Sequence, residues 1–140
     1  MMIWKCITYD NLSIDELYQI LRIRQEVFII EQDCNYLDAD NLDKDSQHVL
    51  CYNHDELIAY MRIYTKPHNL TQISFGRILV KKEFRGIGLG KELVQRGVNL
   101  YSELENIVIS MSAQVYLIKF YEELGFEIVG EQYLEDQIPH

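Results

Sequence analysis

After Ser13 the apolar residues return at helical spacing: Leu17, Ile20, Leu21, Val27 and Phe28 share one stripe, with Arg24 set among them. Ser13 and Glu16 stand in capping-box relation, so a helix is predicted over residues 13–30, its apolar stripe turned to a sheet. A short alternating strand precedes it at 3–8. Residues 31–47 have no period, are rich in acid and contain Asn35, Asp40 and Asn41, which predicts a long loop with at most one helical turn. Runs rich in β-formers at 48–52 and 57–64 are separated by Asn53, His54, Asp55 and Glu56, the spacing and chemistry of a hairpin. A second loop is expected over 65–72, around Pro67 and Asn69, before a strand at 73–80. Leu89, Leu93, Val94, Gly97, Leu100, Tyr101 and Leu104 then outline a helix of about four turns. The remainder reads as a buried strand at 107–111, a helix at 115–124 ended by Gly125, and a closing hairpin at 126–129 and 132–134 around Gly130. The order β, α, β, β, β, α, β, α, β, β implies an α+β fold, an α/β/α sandwich whose mixed, mostly antiparallel sheet carries helices on both faces.

Length and composition narrow the class. A chain of 140 residues, 48% of them apolar, is the size of one domain, 1–140, with one substantial core. No run is long enough to span a bilayer, and the first ten residues lack the pattern of a signal peptide, so no membrane association and a cytoplasmic location are expected. Three scattered cysteines, Cys6, Cys34 and Cys51, suit free thiols in a reduced compartment. No metal site is expected: His48 and Cys51, the best-placed zinc-type pair, differ by an odd number along a strand and point to opposite faces. A net charge of −9 argues against a nucleic-acid partner. The charge is polarised, however. Arg77, Lys81, Lys82, Arg85, Lys91 and Arg96 outnumber Glu83 and Glu92 in one stretch, whereas Glu31, Asp33, Asp38, Asp40, Asp43 and Asp45 outnumber Lys44 in another. The first suits an anionic ligand and the second a cation; either could equally be a solvated face.

The basic stretch contains the chemistry-bearing motif. Ile78, Leu79 and Val80 form an apolar strand end, followed by Arg85, Gly86, Ile87, Gly88, Leu89 and Gly90 and then a helix. Alternate glycines let successive amide N–H groups converge on a phosphate at the positive end of that helix. A Walker A loop is excluded, because Arg85 stands where its first glycine belongs and Glu92 where a hydroxyl should bind magnesium. A dinucleotide fingerprint is excluded by Lys91 at its third glycine.

Arg85, two residues, Gly88, one residue, Gly90 resembles the acetyl-CoA motif of the GNAT superfamily of N-acetyltransferases. Tyr121 to Phe126, a tyrosine four residues before a Gly-Phe pair, resembles the superfamily's second signature. The segments 24–32 (RQEVFIIEQ), 34–43, 112–114 and 133–140 are similar to the ElaA-like branch, which usually has glycine where this chain has Gln137. The resemblance implies a GNAT-like fold and a direct transfer of acetyl from acetyl-CoA to an amine on a small molecule or peptide, with no covalent enzyme intermediate. A non-catalytic acyl-CoA-binding sensor or adaptor is the alternative. By the same resemblance, the strand 78–80 (Ile78, Leu79, Val80) would border the pantetheine arm, with the N–H of Val80 facing the thioester oxygen as oxyanion donor. Gly86, Ile87, Gly88, Leu89, Gly90 and Lys91 would hold the pyrophosphate, with Arg85 supporting the turn or contacting phosphate; Lys81, Lys82 or Lys91 would meet the 3′-phosphate, and Gln114 would touch the cofactor. Tyr121 would be the general acid that protonates the CoA thiolate. For the acceptor side and its base the residue types point to Glu31, His48, Asp136 and His140, or to a water chain. The acidic loop would attract a cationic amine. Monomer and homodimer both remain open.

Overall fold

The computed structural model describes residues 2–103 and 107–111, with the backbone of 134–135 and 138–139. They belong to two compact units, Met1–Ser110 and Met111–His140.

In the first unit a sheet takes the order β1-β2-β3-β4-β5, with β1 Met2–Thr8, β2 Ser46–Asn53, β3 Glu56–Lys66, β4 Asn69–Val80 and β5 Val108–Met111. The pairs β1–β2, β2–β3 and β3–β4 are antiparallel. Helix α1, Ile14–Arg24, starts at the expected capping box: Ser13 Oγ accepts from the Glu16 N–H and Glu16 Oε1 accepts from the Ser13 N–H. It continues as wider π-helical turns over Gln25–Glu31. Helix α2, Leu89–Asn99, follows a 3-10 turn at Lys82–Phe84.

The two helices lie on opposite faces of the sheet. Ile20, Ile23 and Val27 of α1 pack with Leu50, Tyr52, Leu57, Tyr60 and Leu79. On the other face a Cβ at Gly97 of α2 would fall 2.7 Å from the Met61 methyl and 2.7 Å from Phe75 Cζ, so only glycine permits this approach. Tyr60 and Met61 are neighbours in β3, and adjacent strand residues face opposite ways. Arg96 also stacks 4.3 Å from the centroid of the Trp4 ring, tying α2 to β1. Fully buried Ile20, Leu50, Ile58 and Leu93 each contribute about 1.5–3 kcal/mol relative to exposure.

Two expected boundaries are corrected. The loop at 65–72 is mostly strand: β3 runs to Lys66, β4 begins at Asn69, and these two residues pair, leaving Pro67 and His68 as the turn. Residues 69–72 are exposed and have no core face, so their side chains carry no alternation to read. Helix α2 stops at Asn99, and the N–H groups of Leu100 and Tyr101 turn back to the carbonyls of Gly97 and Val98. In the second unit β6, Leu134–Glu135, pairs antiparallel with β7, Ile138–Pro139, a pairing not expected of the tail. The helix at 115–124 and the strand at 126–129 lie outside the described residues. No helix among the described residues is long and apolar enough to cross a membrane.

Candidate active site

The glycine turn joins β4 to α2. Gly86 and Gly88 both adopt φ 87°, the left-handed region, and Gly88 is the N-cap of α2. Among the described residues nothing lies within 4 Å of a Cβ at either position, so their need for glycine comes from φ. Glu92 N–H to Gly88 O, 3.0 Å, closes the first helical bond. The N–H groups of Leu89, Gly90 and Lys91 therefore precede the ladder, and no side chain among the described residues caps them. Three donors at the positive end of an eleven-residue helix fit a pyrophosphate group.

Arg85 is committed to groups of the protein itself. Its Nε donates to the Val80 carbonyl at 2.9 Å, and its two terminal nitrogens grip the carboxylate of Glu31, the last residue of the π-helical turns. These contacts tie Arg85 to the end of β4 and to Glu31. Lys81 pairs with Glu56, Arg96 with Glu92, and Arg77 with Asp38 and Asp40. Four of the six basic residues of the stretch are thus committed, and the excess positive charge counted along the sequence is not a free field. Lys82 and Lys91 have no ion-pair partner among the described residues.

The end of β4 presents one backbone face to the turn. Tyr60 pairs with Leu79 and Arg62 with Gly76, so Met61 stands opposite two residues, Arg77 and Ile78; this is a β-bulge, and Arg77 takes φ 50°. Beyond it Lys81 N–H donates to the Ile58 carbonyl at 2.8 Å and Ala59 faces Val80. In an antiparallel ladder the residue between such bonds turns its N–H away from the partner strand. The N–H of Val80 accordingly points to the edge of β4 where β5 lies. Leu79 buries its side chain against α1, and Val80 Cγ2 is 3.9 Å from the Cβ position of Gly90. Ile78 is part of the bulge.

The acidic loop is corrected most strongly. Three of its carboxylates are already paired: Asp38, Asp40 and Asp43 alternate with Arg24, Arg62 and Arg77 in a closed ring, whereas Asp33 and Asp45 are exposed. Going round, Arg24 meets Asp38 at 2.7 Å, Asp38 meets Arg77 at 2.8 Å, and Arg77 meets Asp40 at 3.3 Å. Asp40 then meets Arg62 at 2.8 Å, Arg62 meets Asp43 at 3.1 Å, and Asp43 returns to Arg24 at 2.7 Å. Arg24 is fully buried and Asp38 nearly so. The signal in the sequence was Arg24 on the apolar stripe of α1 and Arg62 within an apolar strand, two cations at core positions followed or preceded by aspartates.

His48 is also corrected. It is fully buried, its Nε2–H donating to the Asp43 carbonyl at 3.0 Å and its Nδ1 accepting from the Tyr60 hydroxyl at 2.6 Å, so neither nitrogen is open to an acceptor. Glu31 is at the surface but committed to Arg85. His48 and Cys51 face opposite sides of β2, and none of the three cysteines is in a disulfide. Among the described residues no group of three His, Cys, Asp or Glu is placed to hold a metal ion. Tyr121, Gln114, Asp136 and His140 lie outside the described residues. A cleft of about 630 Å³ between α1 and the β2–β3 turn, lined by Gln19, Arg22, Glu26, His54, Glu56 and Lys81 among others, meets the candidate site only through Lys81.

The ring sets the acid response of the fold. Burial alone would raise the Asp43 and Asp40 carboxyls, but Arg24 and Arg62 outweigh it at Asp43, and Arg62 chiefly at Asp40, and hold both below the usual carboxylate range. Burial pushes His48 down, helped by the Arg24 and Arg62 charges. All three groups bind protons less readily folded than unfolded, so each contributes stability above its unfolded pKa and loses it as pH falls through its folded value. The melting temperature is therefore expected to decline from about pH 6.5 downward as the unfolded histidine protonates, and more steeply below about pH 4 as the aspartates do. Scanning calorimetry across this range checks it; a melting temperature constant to below pH 4 would contradict the ring's ionisation.

Comparison with known proteins places this geometry. A family model described as an acetyltransferase (GNAT) domain matches residues 15–140. A protein of Synechocystis is 38% identical over 139 residues, 98% of this chain and 90% of that protein. Protein ElaA of Escherichia coli is 35% identical over 143 residues, 100% of this chain and 94% of ElaA, and its crystal structure covers 99% of this chain and 96% of its own with a TM-score of 0.92. The crystal structure of an acyl-CoA N-acyltransferase from Pseudomonas aeruginosa is 36% identical, covers 100% of this chain and 96% of its own, and superposes with a TM-score of 0.92. The open amides of α2, the bulged end of β4 and these full-length likenesses agree: the chain belongs to the GNAT acetyltransferase family, on its ElaA-like side.

Proposed function

We propose that the protein is a single-domain, acetyl-CoA-dependent N-acetyltransferase that transfers acetyl directly to a primary amine on a small molecule or peptide. The observation that carries this reading is the uncapped start of α2 behind two left-handed glycines, beside a β4 end whose Val80 N–H is turned away from β3. The description of the Pseudomonas aeruginosa relative as an acyl-CoA N-acyltransferase supports it.

Acetyl-CoA would supply an activated thioester. The N–H groups of Leu89, Gly90 and Lys91 would receive its pyrophosphate, Gly86, Ile87 and Gly88 would shape the turn, and the Lys82 and Lys91 ammonium groups, unpaired among the described residues, would meet further phosphate. Ile78, Leu79 and Val80 would border the pantetheine arm, and Gln114 would contact it. Val80 N–H would stabilise charge growing on the thioester oxygen as the neutral amine attacks. Tyr121 Oη would then give its proton to the departing sulfur. Asp136 and His140 stay candidates for the acceptor side, and Glu31 serves the site through Arg85.

The test is release of CoA thiol from acetyl-CoA in the presence of polyamines, lysine peptides and free peptide N-termini. Turnover with at least one class is expected, and Tyr121→Phe should lower it by about 10²–10⁴-fold with cofactor affinity nearly unchanged. Binding of acetyl-CoA without turnover on any amine would favour a sensor or adaptor instead. If neither acetyl-CoA nor CoA raised the melting temperature, both readings would fail.

A further inference from the structure

We propose that Arg77, gripped by Asp38 and Asp40, is a positioning residue for acyl transfer: it holds the β4 bulge whose extra residue frees the N–H of Val80 from β3. This rests on the role proposed above for that N–H.

Register makes the argument. Arg62 pairs with Gly76, and without a bulge Met61 would face Arg77, Tyr60 would face Ile78 and Ala59 would face Leu79. The Ile58 carbonyl would then receive the N–H of Val80. With the bulge it receives that of Lys81, and Val80 is released to the opposite edge. One added residue thus decides which amide is available, because the side on which an N–H emerges alternates along a strand.

The bulge is not held by preference. Arg77 takes a left-handed φ that favours glycine or asparagine, and no glycine is present at the position. What holds it is its side chain. Nη2 donates to the Asp38 carbonyl at 3.1 Å and to Asp40 Oδ2 at 3.3 Å, and Nε lies 2.8 Å from Asp38 Oδ1. That last contact lacks the alignment of a hydrogen bond, so it acts as charge attraction. Asp38 is fixed in turn by Arg24 from α1, and Asp40 by Arg62 from β3. The loop therefore transmits the placement of α1 and β3 to the strand end that borders the proposed thioester site.

Arg77→Gly tests the effect, since glycine keeps the left-handed conformation open while the side chain and its guanidinium are removed. We expect kcat to fall at least about tenfold, given what a single misaimed oxyanion donor costs. The Kd of CoA, which is set by the amides of α2, should stay within about threefold. Arg77→Lys should recover part of the rate through charge alone, and Asp40→Asn, at a less buried position, should reproduce the split if Arg77→Gly folds poorly. Hydrogen exchange gives a readout independent of activity: the Lys81 amide should lose protection and the Val80 amide gain it in Arg77→Gly. Unchanged kcat, or kcat and CoA affinity falling together, would overturn the proposal, as would unchanged protection at Lys81 and Val80. If the wild type turns over no amine while exchange shifts as stated, the functional reading fails and the brace on the bulge stands.

Discussion

Replacing Gly88 with valine is expected to abolish acetyl-CoA binding while leaving the sheet folded. The N-cap of α2 sits at φ 87°, where a residue with a Cβ is strained by about 1–2 kcal/mol, and a β-branched one by more. The chain relieves that strain by rotating the peptide planes on either side, and those planes aim the amides of Leu89 and Gly90. No Cβ clash with the described residues is involved, because none lies within 4 Å, so the damage stays in the turn. The measurement is thermal stabilisation by ligand. For the wild type at a hundredfold excess over Kd, CoA should add about 2.7 kcal/mol to the folding free energy, and for Gly88→Val that increment should vanish. A variant that still gained it would remove the left-handed turn from the binding site. Position 90 offers the contrast: its Cβ would rest in ordinary contact with Val80, and its φ is not left-handed.

The second large effect belongs to Arg24. Arg24→Met keeps an unbranched apolar stem and removes a fully buried charge from between Asp38 and Asp43. Breaking one member out of a buried ion pair costs about 3–5 kcal/mol, because the partner is left charged and dry. In a protein of this size that is a fall in melting temperature of roughly 10 °C or more. Scanning calorimetry of Arg24→Met beside Glu92→Gln, which breaks the Arg96–Glu92 ion pair and leaves the Arg96–Trp4 stack in place, makes the comparison internal. The Arg96–Glu92 pair is half-exposed on one helix face, and such pairs contribute about 0.3–0.5 kcal/mol. Equal losses in the two variants would show that the ring adds nothing beyond a surface pair.

Much of this architecture was legible in the chain. The capping box at Ser13 and Glu16, the β-rich runs and turn residues of the β2–β3 hairpin, and the glycine turn into α2 were each written in local chemistry, and each is found where it was expected. What was not legible depends on partners distant in sequence. The acid run at 31–45 reads as a cation site or a solvated loop until Arg24, Arg62 and Arg77 converge on it from a helix and two strands. His48 reads as an open titratable group until Tyr60 and the Asp43 backbone close on both nitrogens. Arg85 reads as a turn support or a phosphate contact, and nothing local announces that Glu31, 54 residues away, takes its guanidinium. The β4 bulge escaped for a different reason: a single extra residue in an apolar run leaves no compositional trace, and Arg77 carries none of the glycine signature that usually marks a left-handed position.

The ring has a kinetic meaning as well as an energetic one. Its three aspartates gain their full partners only when segments separated by 14 to 39 residues have already met, so the lock closes after the sheet has formed. Interactions absent from the folding transition state govern how fast a protein opens and scarcely affect how fast it closes. The loop that Arg24 anchors therefore acts as a latch on unfolding: its loss should shorten the lifetime of the native state while the rate of refolding stays near that of the intact chain.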